Sequence, residues 1–164
     1  MGMQLVSTVT TTSGATSVTF SSIPADAQDL MVLISCKAAS DLEINVNGST
    51  SGYGQYSFAA SAGNPFAQEN PFGTTHWVYF ALLENYNAQG FSNVRLYFPN
   101  YANTTRQKQA TLEGSAEGFS TNAIMHIGGM RNTSTAAISS IRLDNSNNPL
   151  TAKSTFSLYK LSAD

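Results

Sequence analysis

Apolar and polar side chains alternate along much of this chain with a period of two. In Leu42-Glu43-Ile44-Asn45-Val46-Asn47, the residues Leu42, Ile44 and Val46 face one way and Glu43, Asn45 and Asn47 the other. That is the pattern of a strand with one buried face. Val94, Leu96 and Phe98 alternate with Arg95 and Tyr97 in the same manner. Further candidate strands are Leu5–Thr10, Ser17–Phe20, Leu30–Cys36, His76–Leu83, Gln109–Glu113, Ile124–Ile127, Ile138–Leu143 and Thr155–Leu161. No run of more than a few residues places apolar side chains at helical spacing. Turn formers punctuate the strands at Ser13-Gly14, Ile23-Pro24, Asn47-Gly48, Gln89-Gly90, Pro99-Asn100 and Asn145 to Pro149. About ten short strands with no helical unit between them predict an all-β sandwich or barrel.

No linker, internal repeat or heptad pattern divides the chain, so residues 1–164 are expected to form a single β-sandwich domain. Two stretches stand apart. Met1 to Val6 reads as a possible N-terminal arm, with Met3 and Leu5 as candidate contacts that add a strand to a neighbour's sheet edge. Residues 49–73 are rich in Gly, Ser, Asn and Ala and are expected to form a long inter-strand loop. Within it Asn64-Pro65-Phe66 and Asn70-Pro71-Phe72 repeat a tripeptide six residues apart. Proline stiffens each approach, which makes Phe66 and Phe72 candidates for packing on their own sandwich or docking into a neighbouring subunit.

Composition narrows the chemistry. Charged residues make up only 11% of the chain, against roughly a quarter in an average soluble domain. Ser, Thr and Asn take their place with 52 of 164 residues. Net charge −2 without a basic cluster gives no footprint for nucleic acid. Apolar stretches such as Leu30 to Ile34 are too short to span a bilayer, and no membrane association is expected. The N-terminus has neither the charged region nor the long apolar region of a secretory signal. The single Cys36 forms no internal disulfide and reads as a small buried apolar residue.

No catalytic constellation emerges, and no enzyme, metal or cofactor is expected. Gly48-Ser49-Thr50-Ser51-Gly52 has Thr where a nucleophile elbow needs Ser. His76 and His126 are the only histidines, and both sit in strand-like context that suits packing or hydrogen bonding. Glu113 and Glu117 lie four apart, flanked by Gly114 and Gly118 that make a regular strand doubtful, and fit a solvated edge better than a glycosidase pair. Asp144 to Asn148 lacks the Gly and distal Glu of an EF-hand and suits an Asx-rich turn. The Gly128-Gly129 pair suits a bend in a strand. The sequons at Asn47, Asn103 and Asn132 are about as many as this composition yields by chance. Tyr53, Tyr56, Trp77, Tyr79, Tyr86, Tyr97 and Tyr101 are read mainly as core aromatics, with a carbohydrate platform as the competing reading.

Several segments, in order, resemble a β-sandwich domain that recurs in virion proteins of tailed bacteriophages. They are Val18-Thr19-Phe20-Ser21-Ser22-Ile23-Pro24, Asp29-Leu30-Met31-Val32-Leu33-Ile34-Ser35, and Leu42 through Gly48. Phe98-Pro99-Asn100-Tyr101-Ala102-Asn103-Thr104-Thr105, Ala136 through Leu143, and Ser154-Thr155-Phe156-Ser157-Leu158-Tyr159 complete the set. Coverage runs from about Thr8 to Tyr159. The resemblance implies a jelly-roll-like antiparallel β-sandwich and a structural role in the particle. The sequence carries the sandwich without a tail adaptor or coiled-coil shaft, which favours a capsid decoration, or cement, protein that binds the assembled head and stabilises it. The partners so implied are the major capsid protein and further copies of the chain as a homotrimer, on the capsid surface of a virion assembled in the host cytoplasm. A tail- or fibre-associated structural or host-recognition protein and a carbohydrate-binding module are the alternatives.

Overall fold

The computed structural model describes residues 2–38, 42–61, 64–79, 90–117, 123–145 and 148–162, with the backbone alone at 59–61, 64–74, 78–79, 116–117 and 123–124. Twelve strands are described, and no helix lies among them. They are β1 (Gly2–Thr10), β2 (Ser17–Phe20), β3 (Asp29–Cys36), β4 (Leu42–Val46), β5 (Tyr53–Ser61) and β6 (Asn64–Thr74). β7 (Trp77–Tyr79), β8 (Ser92–Phe98), β9 (Lys108–Glu117), β10 (Ala123–Asn132), β11 (Ile141–Asp144) and β12 (Thr155–Ser162) follow.

All pairings between these strands are antiparallel. The larger sheet runs β1-β12-β3-β8-β9-β10-β5-β6 and the smaller β2-β11-β4-β7. Setting aside β5–β6 and β9–β10 leaves eight strands. Their order is first, eighth, third, sixth in one sheet and second, seventh, fourth, fifth in the other. That is the interleaving of two Greek keys in a jelly roll. The two remaining pairs are hairpins, inserted between β4 and β7 and between β8 and β11, and both extend the larger sheet beyond β8.

The period-two alternation explains the frame. Leu30, Val32, Ile34 and Cys36 of β3, Leu96 and Phe98 of β8, and Phe156 and Leu158 of β12 are buried. They meet Val18 and Phe20 of β2, Leu42, Ile44 and Val46 of β4, and Ile141 and Leu143 of β11 from the other sheet. Trp77 packs edge-on against Tyr53, with ring centroids 5.1 Å apart, and lies 6.2 Å from Phe98. Its indole Nε1 donates to Arg131 O at 3.0 Å, so the one polar atom of this large core ring is satisfied. The Tyr53 hydroxyl accepts from Val46 N at 2.9 Å and ties β5 to β4.

Polar side chains hold the turns. Asn47 adopts φ 53°, and its Oδ1 accepts from Ser139 N at 2.8 Å while its Nδ2 donates to Ala137 O at 2.8 Å. One asparagine thus supplies the left-handed turn after β4 and fastens it to the segment entering β11. Buried Asn132 donates through Nδ2 to Ser51 O and accepts Ser134 N at Oδ1. Asn103 Oδ1 accepts from Thr105 N and Arg106 N in an Asx turn. The sequon asparagines at 47 and 132 therefore use their amide nitrogens inside the fold.

Several expectations need correction. Residues 49–73 are not a long inter-strand loop, because β5 and most of β6 lie within them and pair from Tyr53↔Thr74 to Ser61↔Asn64. Met1 to Val6 is not a free arm: residues 2–6 belong to β1, which pairs with β12. β9 runs unbroken through Gly114 to Glu117, since β8 pairs with it as far as Ser115 and β10 as far as Glu117. Gly128 and Gly129 likewise sit within a regular ladder. Of the predicted strand His76–Leu83, Trp77–Tyr79 is β7 and residues 80–83 lie outside the described residues. Ile138 is buried in the approach to a shorter β11.

Candidate functional site

Parts of β5 and β10 invert the frame's pattern. On β5, Gln55 and Ser57 are buried, while Tyr56 and Phe58 are exposed, the latter by 69%. On β10, His126 and Gly128 are buried, while Met125 and Ile127 are more than half exposed. Ordinary burial would place these side chains the other way round. The outer face of the larger sheet, turned away from the core, therefore carries apolar side chains where it is extended.

Register assembles that face into three cross-strand rows, because directly opposed residues of antiparallel strands share a face. One row reads Thr10, Thr155, Ser35, Asn93, Ser115, Met125. The next reads Thr8, Ser157, Leu33, Arg95, Glu113, Ile127, Phe58. The third reads Leu5, Tyr159, Met31, Tyr97, Thr111, Gly129, Tyr56. A groove of about 720 Å³ lies over the first two rows from β12 to β10. At its centre Arg95 Nη2 meets Glu113 Oε2 at 2.9 Å, with both side chains about half exposed. Beside it, Gly129 leaves open space next to Tyr56, in a smaller depression of about 390 Å³.

Ionisable groups elsewhere are absorbed by structure. Asp29 is buried and accepts from the Tyr97 hydroxyl at 2.6 Å and from Asn100 N at 2.8 Å. That bond to the carboxylate raises the Tyr97 pKa. Burial pushes the Cys36 thiol up to about 12, which leaves no reactive thiolate near neutrality. Burial also holds His126 down at about 4, and lowers Lys108, whose ammonium donates to Asn103 O. His76 lies at the surface beside Glu43, 3.5 Å from its Oε2, and bonds Thr75 Oγ1. Asp144 pairs with Arg142, and the Asn145 amide donates to Pro149 O in the turn that follows. Among the described residues, no group of three His, Cys, Asp or Glu is placed to hold a metal ion.

No family model matches this chain, and neither a curated protein nor a solved structure matches it.

The sequence-derived candidates divide between the two edges of the larger sheet. Met3 and Leu5 lie on β1, opposite Leu161 and Tyr159, and both are more than half exposed. Phe66 and Phe72 lie on β6 at the far edge, Phe66 opposite Ala59, with their side chains outside the described residues. The fold therefore does not bring the two pairs together. Tyr53, Trp77 and Tyr101 are buried as core aromatics, whereas Tyr56 is exposed, because β5 turns its polar side inward. Tyr86 and the Tyr79 side chain lie outside the described residues. The outer-face rows were missed from sequence. The available signal was the pair of Tyr56 and Phe58 flanking Ser57, an alternation that a loop does not need.

Proposed function

We propose that this protein is a structural, non-catalytic component of a tailed-bacteriophage virion: a decoration protein that binds the assembled head shell and stabilises it. The observation that carries the reading is where the resembling segments fall. They are the frame strands β2, β3, β4 and β12, the turn leaving β8 and the approach to β11 with most of that strand. None of the segments that carry the resemblance falls on the inserted hairpins.

The edge strand β1 supplies the docking element in this reading. It contains no charged residue and no proline, and it presents Met3 and Leu5 at the rim of the sheet. Native edges are commonly blunted by charge or proline. The opposite edge, β6, has both, with Pro65, Pro71 and Glu69. An uncharged edge suits strand addition to the major capsid protein, and three linked copies would multiply modest contacts into high avidity.

Antibody labelling of intact particles, with copy number from quantitative gels, tests the proposal. Dense label over the head, at a copy number approaching that of the shell subunits, is expected. Label confined to the tail in a few copies would replace decoration with a tail or fibre role, and particles without label would end the virion reading. A Met3→Lys/Leu5→Lys variant should occupy shells at least tenfold less while melting within a few degrees of the parent chain.

A further inference from the structure

The groove on the outer face has a chemistry of its own. Its floor carries short uncharged polar side chains at adjacent strand positions: Ser35, Asn93, Ser115 and Thr155. Among the described residues none of these four side chains has a hydrogen-bond partner, so their donors and acceptors are left to whatever occupies the groove. The only opposite charges in it, Arg95 and Glu113, neutralise each other at 2.9 Å. Apolar shoulders stand at both ends, Leu33 and Tyr159 toward β12 and Ile127 and Met125 toward β10. Phe58 continues the second shoulder on β5, directly opposite Ile127.

This combination selects a ligand class. A polyanion would find one cation, already compensated, and a metal ion would find one carboxylate. A purely apolar partner would cover the polar row and the ion pair without satisfying them, at a desolvation cost. A pyranose chain fits both features. Its vicinal hydroxyls match the planar, paired donors and acceptors of guanidinium, carboxylate and Asn93 amide, and its C–H faces match the apolar shoulders. The groove crosses five strands, β12 to β10, which is on the order of 19 Å at the usual inter-strand spacing. That span accommodates several rings rather than one.

We propose that the outer-face groove, centred on Arg95 and Glu113, binds a neutral oligosaccharide. The inference rests on the groove alone and is independent of the virion reading. A chain that binds sugar and is absent from particles would retain this site and lose that role.

The test is a titration of the isotope-labelled full chain with maltohexaose, cellohexaose and chitohexaose, with hexagalacturonate as the anionic comparator. The expected result is saturable amide shifts on β8, β9 and β10 with at least one neutral hexasaccharide. Arg95→Ala and Ile127→Ser should each weaken that binding at least tenfold. Because both side chains are exposed, melting should shift by no more than a few degrees. Three results would overturn the proposal: no saturable shift with any of the three neutral sugars, shifts confined to other surfaces, or binding of hexagalacturonate alone. Concentration-dependent broadening of the groove residues without sugar would also overturn it, by showing that a second copy covers the face.

Discussion

His126 shows how a single residue ties this fold to pH. It is buried between strands at Ala59 and Gly114, and burial holds it near 4 against 6.5 in an unfolded chain. The folded state keeps the neutral ring, so the unfolded state binds the extra proton. Its contribution is complete above about pH 6.5 and is lost as pH falls toward 4, below which this group costs nothing further. The loss is on the order of 3 kcal/mol. Urea midpoints at pH 7 and pH 4.5 should therefore diverge in the parent chain and draw together in His126→Gln; an equal acid slope in both would refute the assignment. The sequence placed both histidines in packing or bonding roles, and residue type and strand context were enough for that. What those signals lacked was direction. His126 alternates with Met125 and Ile127, and only the sheet reveals that the imidazole, not the apolar pair, faces inward.

The same reversal governs the elements. The frame strands were legible because β4 and β8 bury every second, apolar residue, and a two-state pattern needs only one buried face. β5 and β10 were harder, because Gln55, Ser57, His126 and Gly128 face inward beside Tyr53 and Met130, while Tyr56, Phe58, Met125 and Ile127 face outward. Small inner residues have a packing reason at one point: a side chain at Gly128 would bring its Cβ to 3.1 Å from Ser57 Cβ and 3.2 Å from Tyr56 O. The ladder of β5 with β10 closes tightly there. Outer aromatics contribute little to stability by comparison with frame aromatics. Phe58→Ser should change unfolding free energy by less than about 1 kcal/mol, whereas Phe98→Ala should cost about 3–5 kcal/mol through lost transfer energy and an unfilled cavity. Denaturant titration of the two variants separates these outcomes. Comparable losses would mean that Phe58 is a core residue after all.

At the scale of the whole molecule, seven of the ten described strand pairings join strands that are not consecutive in the chain, and the frame closes only when β12 lies between β1 and β3. Such topologies fold slowly, because loop closure precedes the contacts that reward it. Refolding from urea should take milliseconds to seconds, and a microsecond phase that recovers full native fluorescence would contradict the topology. The central place of β12 also bears on synthesis. Its residues, Thr155–Ser162, leave the ribosome after every other strand of the fold. Until then β3 lacks one of its two neighbours and β1 lacks its only one. A nascent chain therefore carries two open strand edges until β12 has been made. Stalling or truncation before β12 yields a product that cannot complete the sheet. Protection of the emerging chain, rather than rescue of the finished one, is the stage at which a cell would most affect the yield of this protein.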